Sequence, residues 1–297
     1  MNSEIFRPSQ TASLCGTLEH LYQCYQNDYL EMDPLELVRR FPHPQDQEIA
    51  AFIAAGLAIG QVSLIRQAVR RILECMQPSP YRFIMNFDPE RHQGLFQGFR
   101  YRFYRDNDVG LLMGWLAQMV RRKGSIRAFF LQSYSASDPD IGNSLVRFVD
   151  SVIALKTTPF YKKVPRKGSG IRHFLASPRD GSGCKRLNLF LRWMVRKDNI
   201  DLGLWPEVTA SQLIIPLDTH IARLGRFLGF TRRSSVDWTM ALEITDALRA
   251  CDPEDPVKYD FAICTLGKLS DCSKKPDPEK CPSCPVFRHC KTAAVIC

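Results

Sequence analysis

Apolar residues recur at three- and four-residue spacing along almost the whole chain, and that period dictates helices. Leu14, Leu18, Leu21, Tyr22 and Tyr25 mark one face of a helix over roughly residues 12–30. Asp33-Pro34 sets a capping residue ahead of a proline at the first helical position, opening a short helix through Phe41. From Ile49 to Ala55 the apolar positions are continuous, which predicts a helix over 45–58 buried on most sides. Gly60 breaks it, and an amphipathic helix runs on to Met76. Further helices are expected behind Asp88-Pro89 and over 108–122, 125–134, 139–155, 219–228, 234–250 and 256–269, the last behind Asp255-Pro256. Phe99 to Arg105 alternates aromatics with arginines and reads as a helix entry, its arginines snorkelling over core rings. Residues 156–170 are irregular and basic, either a phosphate-holding loop or a solvated connection. No alternating strand pattern interrupts this series, so the fold class is all-α.

With 297 residues, 45% hydrophobic and 24% charged, the chain can bury a sizeable core in two lobes. No apolar run approaches the ~20 residues of a membrane span. The N-terminal MNSEIFRPSQ lacks the basic start and apolar centre of a secretory signal, so a cytoplasmic location is expected. A net charge of +9 points to a polyanionic partner, most commonly nucleic acid. In a reducing compartment disulfides are rare, and Cys15, Cys24, Cys75, Cys251 and Cys264 then read as small buried hydrophobes.

The other cysteines cluster. Cys272, Cys281, Cys284 and Cys290 stand at spacing C-x8-C-x2-C-x5-C, four thiolates within one short loop. That donor set suits a tetrahedral zinc or a 4Fe-4S cluster, and the uneven spacing favours the cluster over paired zinc knuckles. His289 reads as a bystander and Cys297 as a free thiol. Lys274, Lys275, Lys280, Arg288 and Lys291 would suit phosphate contacts.

The segment Leu266 to Cys272 with this cysteine loop resembles the C-terminal iron–sulfur loop of endonuclease III and the adenine glycosylases, although the first gap is longer here. A second likeness to that helix-hairpin-helix DNA glycosylase superfamily lies upstream. Gly181-Ser182-Gly183 precedes Lys185 as the family's hairpin precedes its reactive lysine, with Arg179-Asp180 replacing the usual Leu-Pro. Leu217-Asp218-Thr219-His220-Ile221 matches the motif that carries the family's catalytic aspartate. Lys185 and Asp218 are 33 positions apart, a long separation similar to that of the archaeal 8-oxoguanine glycosylases. The closest overall likeness is to an uncharacterised prokaryotic family of this superfamily.

The resemblance implies a two-lobed fold, with residues 33–217 as a central helical lobe carrying the hairpin. Residues 1–32 and 218–297 would form the second lobe with the cluster loop. It implies removal of a damaged or modified base from double-stranded DNA after base flipping, and abasic-site lyase chemistry through a lysine Schiff base. The protein would work as a monomer, with no membrane. Lys185 would be the nucleophile and Asp218 would stabilise the oxocarbenium-like sugar. Ser182 and Gly183 would offer outward N–H groups to a DNA phosphate, and Arg186 would contact DNA. Lys197 is the rival nucleophile, and Asp218 as a plain helix cap is the rival reading of the aspartate. Trp193, Trp205 and Phe190 are candidates for sandwiching a flipped base or for core packing. Arg192, Arg196, Arg223 and Arg226 are further basic positions; Leu57 falls near where related enzymes carry a glutamine after their early buried helix, and Gln61 is only a nearby substitute. A non-catalytic nucleic-acid-binding protein, or a redox-sensing iron–sulfur protein, would use the same residues differently.

Overall fold

The computed structural model describes residues 13–269, 272 and 277–291. The N-terminal segment read for targeting, together with Lys274, Lys275 and Cys297, lies outside the described residues. Among the described residues the chain forms twelve α-helices and one two-stranded hairpin, so it is helix-rich as its periodicity predicts. The helices are α1 (Leu14–Cys24), α2 (Leu35–Arg39), α3 (Pro44–Gly56), α4 (Val62–Glu74), α5 (Pro80–Asn86), α6 (Asp106–Lys123), α7 (Ile126–Leu131), α8 (Gly142–Ile153), α9 (Lys185–Val195), α10 (Thr219–Phe227), α11 (Trp238–Arg249) and α12 (Asp260–Leu269).

The apolar run inside α3 makes it the centre of the core. Ile49 to Ala55 are all buried, and α3 packs against α2, α4, α5 and α9. Phe52 meets Phe190 of α9 edge-on at 5.0 Å, the T-shaped geometry that aromatic quadrupoles favour. Glu48 is the polar exception on this helix. Its buried carboxylate accepts the N–H groups of Ile126 and Arg127 at 2.9 Å, capping α7, and the Trp205 indole N–H at 2.9 Å. Burial raises its pKa, and these three donors work against the rise.

The first described helix meets the last. Helix α1 packs on α12, Lys258 Nζ pairs with Glu19 at 2.9 Å, and Thr17 Oγ1 bonds His289 Nε2 at 3.0 Å. Cys15 and Cys251 form a disulfide between α1 and the residues after α11. That corrects the reading of both as small buried hydrophobes: the folded chain brings their Cα atoms to 5.2 Å, inside the range a disulfide needs. Cys75 is exposed rather than buried.

Three local expectations also change. Residues 99–105 are no helix entry. Arg100–Tyr101 (β1) and Tyr104–Arg105 (β2) pair antiparallel, Arg100 opposite Arg105 and Tyr101 opposite Tyr104. Tertiary contact decides this, because the Tyr104 hydroxyl donates to the Gly56 carbonyl at 2.9 Å and Tyr101 to the Ile59 carbonyl, both at the end of α3. Asp88-Pro89 opens turns instead of a helix. The Asp88 carboxylate accepts from the N–H of Glu90 at 2.9 Å, and its own N–H is taken by His92. Helix α12 starts at Asp260 rather than behind Asp255-Pro256, since both Asp255 oxygens accept from Arg196 Nε at 2.9 Å.

Candidate active site

Helix α9 begins on a tightly wound approach. Pro178–Asp180 make one 3₁₀ turn, Gly181 takes φ 72, and Ser182 bridges to Asp237 in extended conformation. Cys184 then adopts φ 47, a left-handed conformation that costs a non-glycine residue energy. Its buried Sγ lies 3.3 Å from the Ala176 carbonyl and 3.2 Å from the Ser182 carbonyl, and burial pushes its thiol up to about 12. The side chain pins the strained turn from inside, and Lys185 follows as the first residue of the helix. Nothing in the local pattern around Cys184 flags this role, because it depends on the carbonyl of Ala176 arriving by tertiary folding.

Helix α10 presents the carboxylate. Asp218 caps it, with Oδ1 accepting the N–H groups of His220 and Ile221, each at 2.8 Å. Oδ2 accepts from the Cys264 thiol of α12 at 3.4 Å. Burial, reinforced by the neighbouring Asp218 charge, keeps that thiol protonated. Burial also holds His220 below its ordinary range, against the pull of Asp218.

Lys185 and Asp218 line one cleft of about 820 Å³, together with Asp33, the 58–62 segment, Arg102, Arg192, Asp260, Cys264 and Lys268. Lys185 Nζ donates to the Ala58 carbonyl at 2.9 Å. A second amine, Lys268, donates to the Met32 carbonyl at 3.0 Å. Burial opposes its charge, but Cys264, Asp33 and Asp218 outweigh that and hold it as an ammonium. Lys268 and Cys264 belong to the cleft as well, although the sequence marks Cys264 only as a small buried hydrophobe and gives Lys268 no role. Their position one helical turn apart on α12 faces them to one side, but only the docking of α12 on α10 brings that side to Asp218.

Lys197 is elsewhere. It is exposed at the far end of α9, where its stem covers Gly203 and its backbone bridges to Leu202. Residues 198–205 fold back on α9, with the N–H groups of Leu202 and Trp205 capping Trp193 and Met194 carbonyls.

Ser182 is half-buried, while Gly183 is buried between Leu217 and the Asp237 carbonyl, because Asp237 pairs with the segment on its outer side. Arg186 is half-buried as well. Its Nε donates to the His173 carbonyl at 2.9 Å and its guanidinium lies 5.7 Å from the Phe103 ring centre. Both groups hold the start of α9 in place. Trp193, Trp205 and Phe190 are core residues outside the cleft lining. Leu57 is buried, and Gln61 stands exposed on the cleft wall.

Arg192 and Arg196 are also internal. Arg192 Nε donates to Asp201 at 3.2 Å and Nη1 to Asp260, while Arg196 pairs with Asp198, Asp201 and Asp255. Burial works against both guanidinium charges, and the surrounding carboxylates outweigh it. This network fastens α9 to α12 beneath the cleft. Arg226 donates to the carbonyls of Arg233 and Ser234, and Arg223 to His220 and the Gly267 carbonyl.

The four loop cysteines converge without closing a geometric site. All four are half-buried. Burial raises Cys272 and takes Cys284 up to about 11, with Cys281 and Cys290 adding to both. Among the described residues no three His, Cys, Asp or Glu side chains stand at the spacing of a metal site. The donor chemistry fits a thiolate-bound group, since four thiols on one short loop can share a single cation as thiolates. His289 is engaged with Thr17 and is no part of this donor set.

Residues 33–269 match a family described as a protein of unknown function, DUF2400. The chain belongs to the DUF2400 family. The match spans α2 to α12 and contains the cleft, and it ends just before the cysteine loop. No curated protein and no solved structure matches the chain. No helix among the described residues is long and apolar enough to cross a membrane.

Proposed function

We propose that the protein is a DNA glycosylase with abasic-site lyase activity, built on a two-lobed helix-hairpin-helix scaffold. The observation that carries this reading is the shared cleft: Lys185 at the first turn of α9 and Asp218 at the cap of α10 open onto the same volume. A base flipped from double-stranded DNA would enter there. Asp218 Oδ2 faces the sugar and offsets positive charge as the glycosidic bond breaks, the bonding pair leaving with the base. Lys185, freed from the Ala58 carbonyl and deprotonated, forms the new bond to the anomeric carbon. The proton on nitrogen passes through Asp218 to the ring oxygen as its bond to the anomeric carbon breaks, giving the Schiff base; loss of the C2′ proton then expels the 3′-phosphate and cuts the strand.

Cys272, Cys281, Cys284 and Cys290 would hold a 4Fe-4S cluster, with zinc as the lesser alternative. The cluster would order the loop beside DNA and take no part in base removal. Support for a polyanionic partner is the net charge of +9.

Borohydride added to the protein with an abasic duplex should trap a covalent adduct, and Lys185→Ala should abolish it. Adduct that persists in Lys185→Ala but disappears in Lys268→Ala or Lys197→Ala would reassign the nucleophile. A non-catalytic nucleic-acid-binding iron–sulfur protein is the second reading, favoured by the double cap that Asp218 makes on α10. Asp218→Asn separates the two, because asparagine keeps the cap while removing the charge. Base release should fall at least a hundredfold with duplex binding retained, whereas a binder shows no release in either form.

A further inference from the structure

The deep wall of the cleft holds two polar groups whose bonding is unfinished. Arg192 is 2% exposed and lines the cleft. Its Nε and Nη1 are committed to Asp201 and Asp260, but Nη2 has no hydrogen-bond partner. It is paired by charge with Asp33 Oδ2 at 3.8 Å, beyond hydrogen-bond range. Asp33 is in a matching position: Oδ1 caps Leu35 N–H at 3.0 Å, while Oδ2 makes no hydrogen bond among the described residues. A buried donor without a hydrogen bond thus stands beside the carboxylate oxygen of a loose ion-pair partner, too far for the two to bond. Native proteins rarely leave such groups unpaired unless a ligand completes them. Ile65, Leu189 and Phe261 supply apolar walls on the way in.

We propose that Arg192 Nη2 and Asp33 Oδ2 read the polar edge of the flipped base, and that the base is one whose edge carries a hydrogen-bond acceptor next to an N–H donor. This rests on the glycosylase reading and deepens it. The acceptor atom of the base takes Nη2–H and its neighbouring N–H donates to Asp33. A base that can accept but not donate leaves the carboxylate unpaired in the same wall and is rejected. Asp33 and Arg192 touch no sugar atom in this scheme; they select what reaches Lys185 and Asp218.

The test compares two reactions of one protein. Base release is measured on duplexes carrying 8-oxoguanine, hypoxanthine or uracil, each with an acceptor beside an N–H. Unsubstituted purine, which accepts but has no donor, serves as the deficient base. Borohydride trapping is measured in parallel on a preformed abasic duplex, where no base is present to be read. We expect release of at least one of the first three, purine release at least tenfold slower, and an Asp33→Asn variant whose ratio of base release to trapping drops at least tenfold. Asn at 33 can still cap Leu35, so the fold is kept. Equal losses of release and trapping would show a structural role and overturn the proposal, as would purine released as fast as the others. Trapping by the wild type with no release of any of the three also overturns it while leaving the lysine chemistry standing. If wild type neither traps nor releases, the glycosylase reading itself fails.

Discussion

Glu48 shows at residue scale how one side chain fixes a junction. Its carboxylate satisfies three buried donors from two different segments, so Glu48→Ala orphans all of them at once. The expected loss is about 3 kcal/mol in chemical denaturation, with Glu48→Gln costing less because the amide oxygen still accepts. The sequence shows Glu48 only as a polar position on an apolar helix; its partners lie 78 and 157 residues away. Asp218 is the opposite case. Its capping role was legible from Asp-Thr-His-Ile alone, because a cap is a local interaction. Lys185 sits between these cases: its place at a helix start could be read, whereas its partner at Ala58 could not.

At element scale, α9 is held by charge as much as by apolar packing. Arg192 reaches Asp260 on α12 and Asp201 in the returning loop. Removing that guanidinium leaves buried carboxylates uncompensated. Arg192→Ala should therefore destabilise the fold by about 3–5 kcal/mol, read from the denaturant midpoint. The 100–105 hairpin is a smaller device with the same logic. Tyr104→Phe keeps the buried ring but loses the bond to Gly56, so about 1 kcal/mol should disappear with no change in helix content by circular dichroism. Sequence reading mistook this hairpin for a helix entry because its two-residue strands are too short to show a period of two. The same reading placed α3 and α4 well, since thirteen residues of consistent pattern outvote local noise.

At the scale of the whole molecule, the disulfide joins Cys15 to Cys251 across a sequence separation of 236 and ties α1 to the residues after α11. Cys15→Ser or Cys251→Ser should lower stability by about 2–5 kcal/mol, and added reductant should reproduce the drop in wild type alone. Acid should weaken the fold through two histidines. Burial holds His173 and His220 below the ordinary 6.5, with Arg186 and Arg223 adding to it. The unfolded chain then binds protons first, so stability is intact above 6.5 and falls as pH drops from there toward the lowered folded values. Melting temperatures between pH 7.5 and 5 should show the decline, and a His173→Asn/His220→Asn double variant should flatten it.

What the sequence by itself determined is the part governed by near neighbours: a helical chain, a buried α3, the capped start of α10, and a lysine delivered by a glycine-bounded turn. Those follow from periodicity and capping, which act over a few residues. Tertiary structure decided which of these meet. It brought Lys185 and Asp218 into one cleft and kept Lys197 out of it, added Cys264 and Lys268 from α12, and left Arg192 and Asp33 facing each other across 3.8 Å. It also turned Gly183 inward and joined Cys15 to Cys251. Such pairings depend on how helix faces dock, and docking is set by the summed shape and burial of the core rather than by any short pattern along the chain.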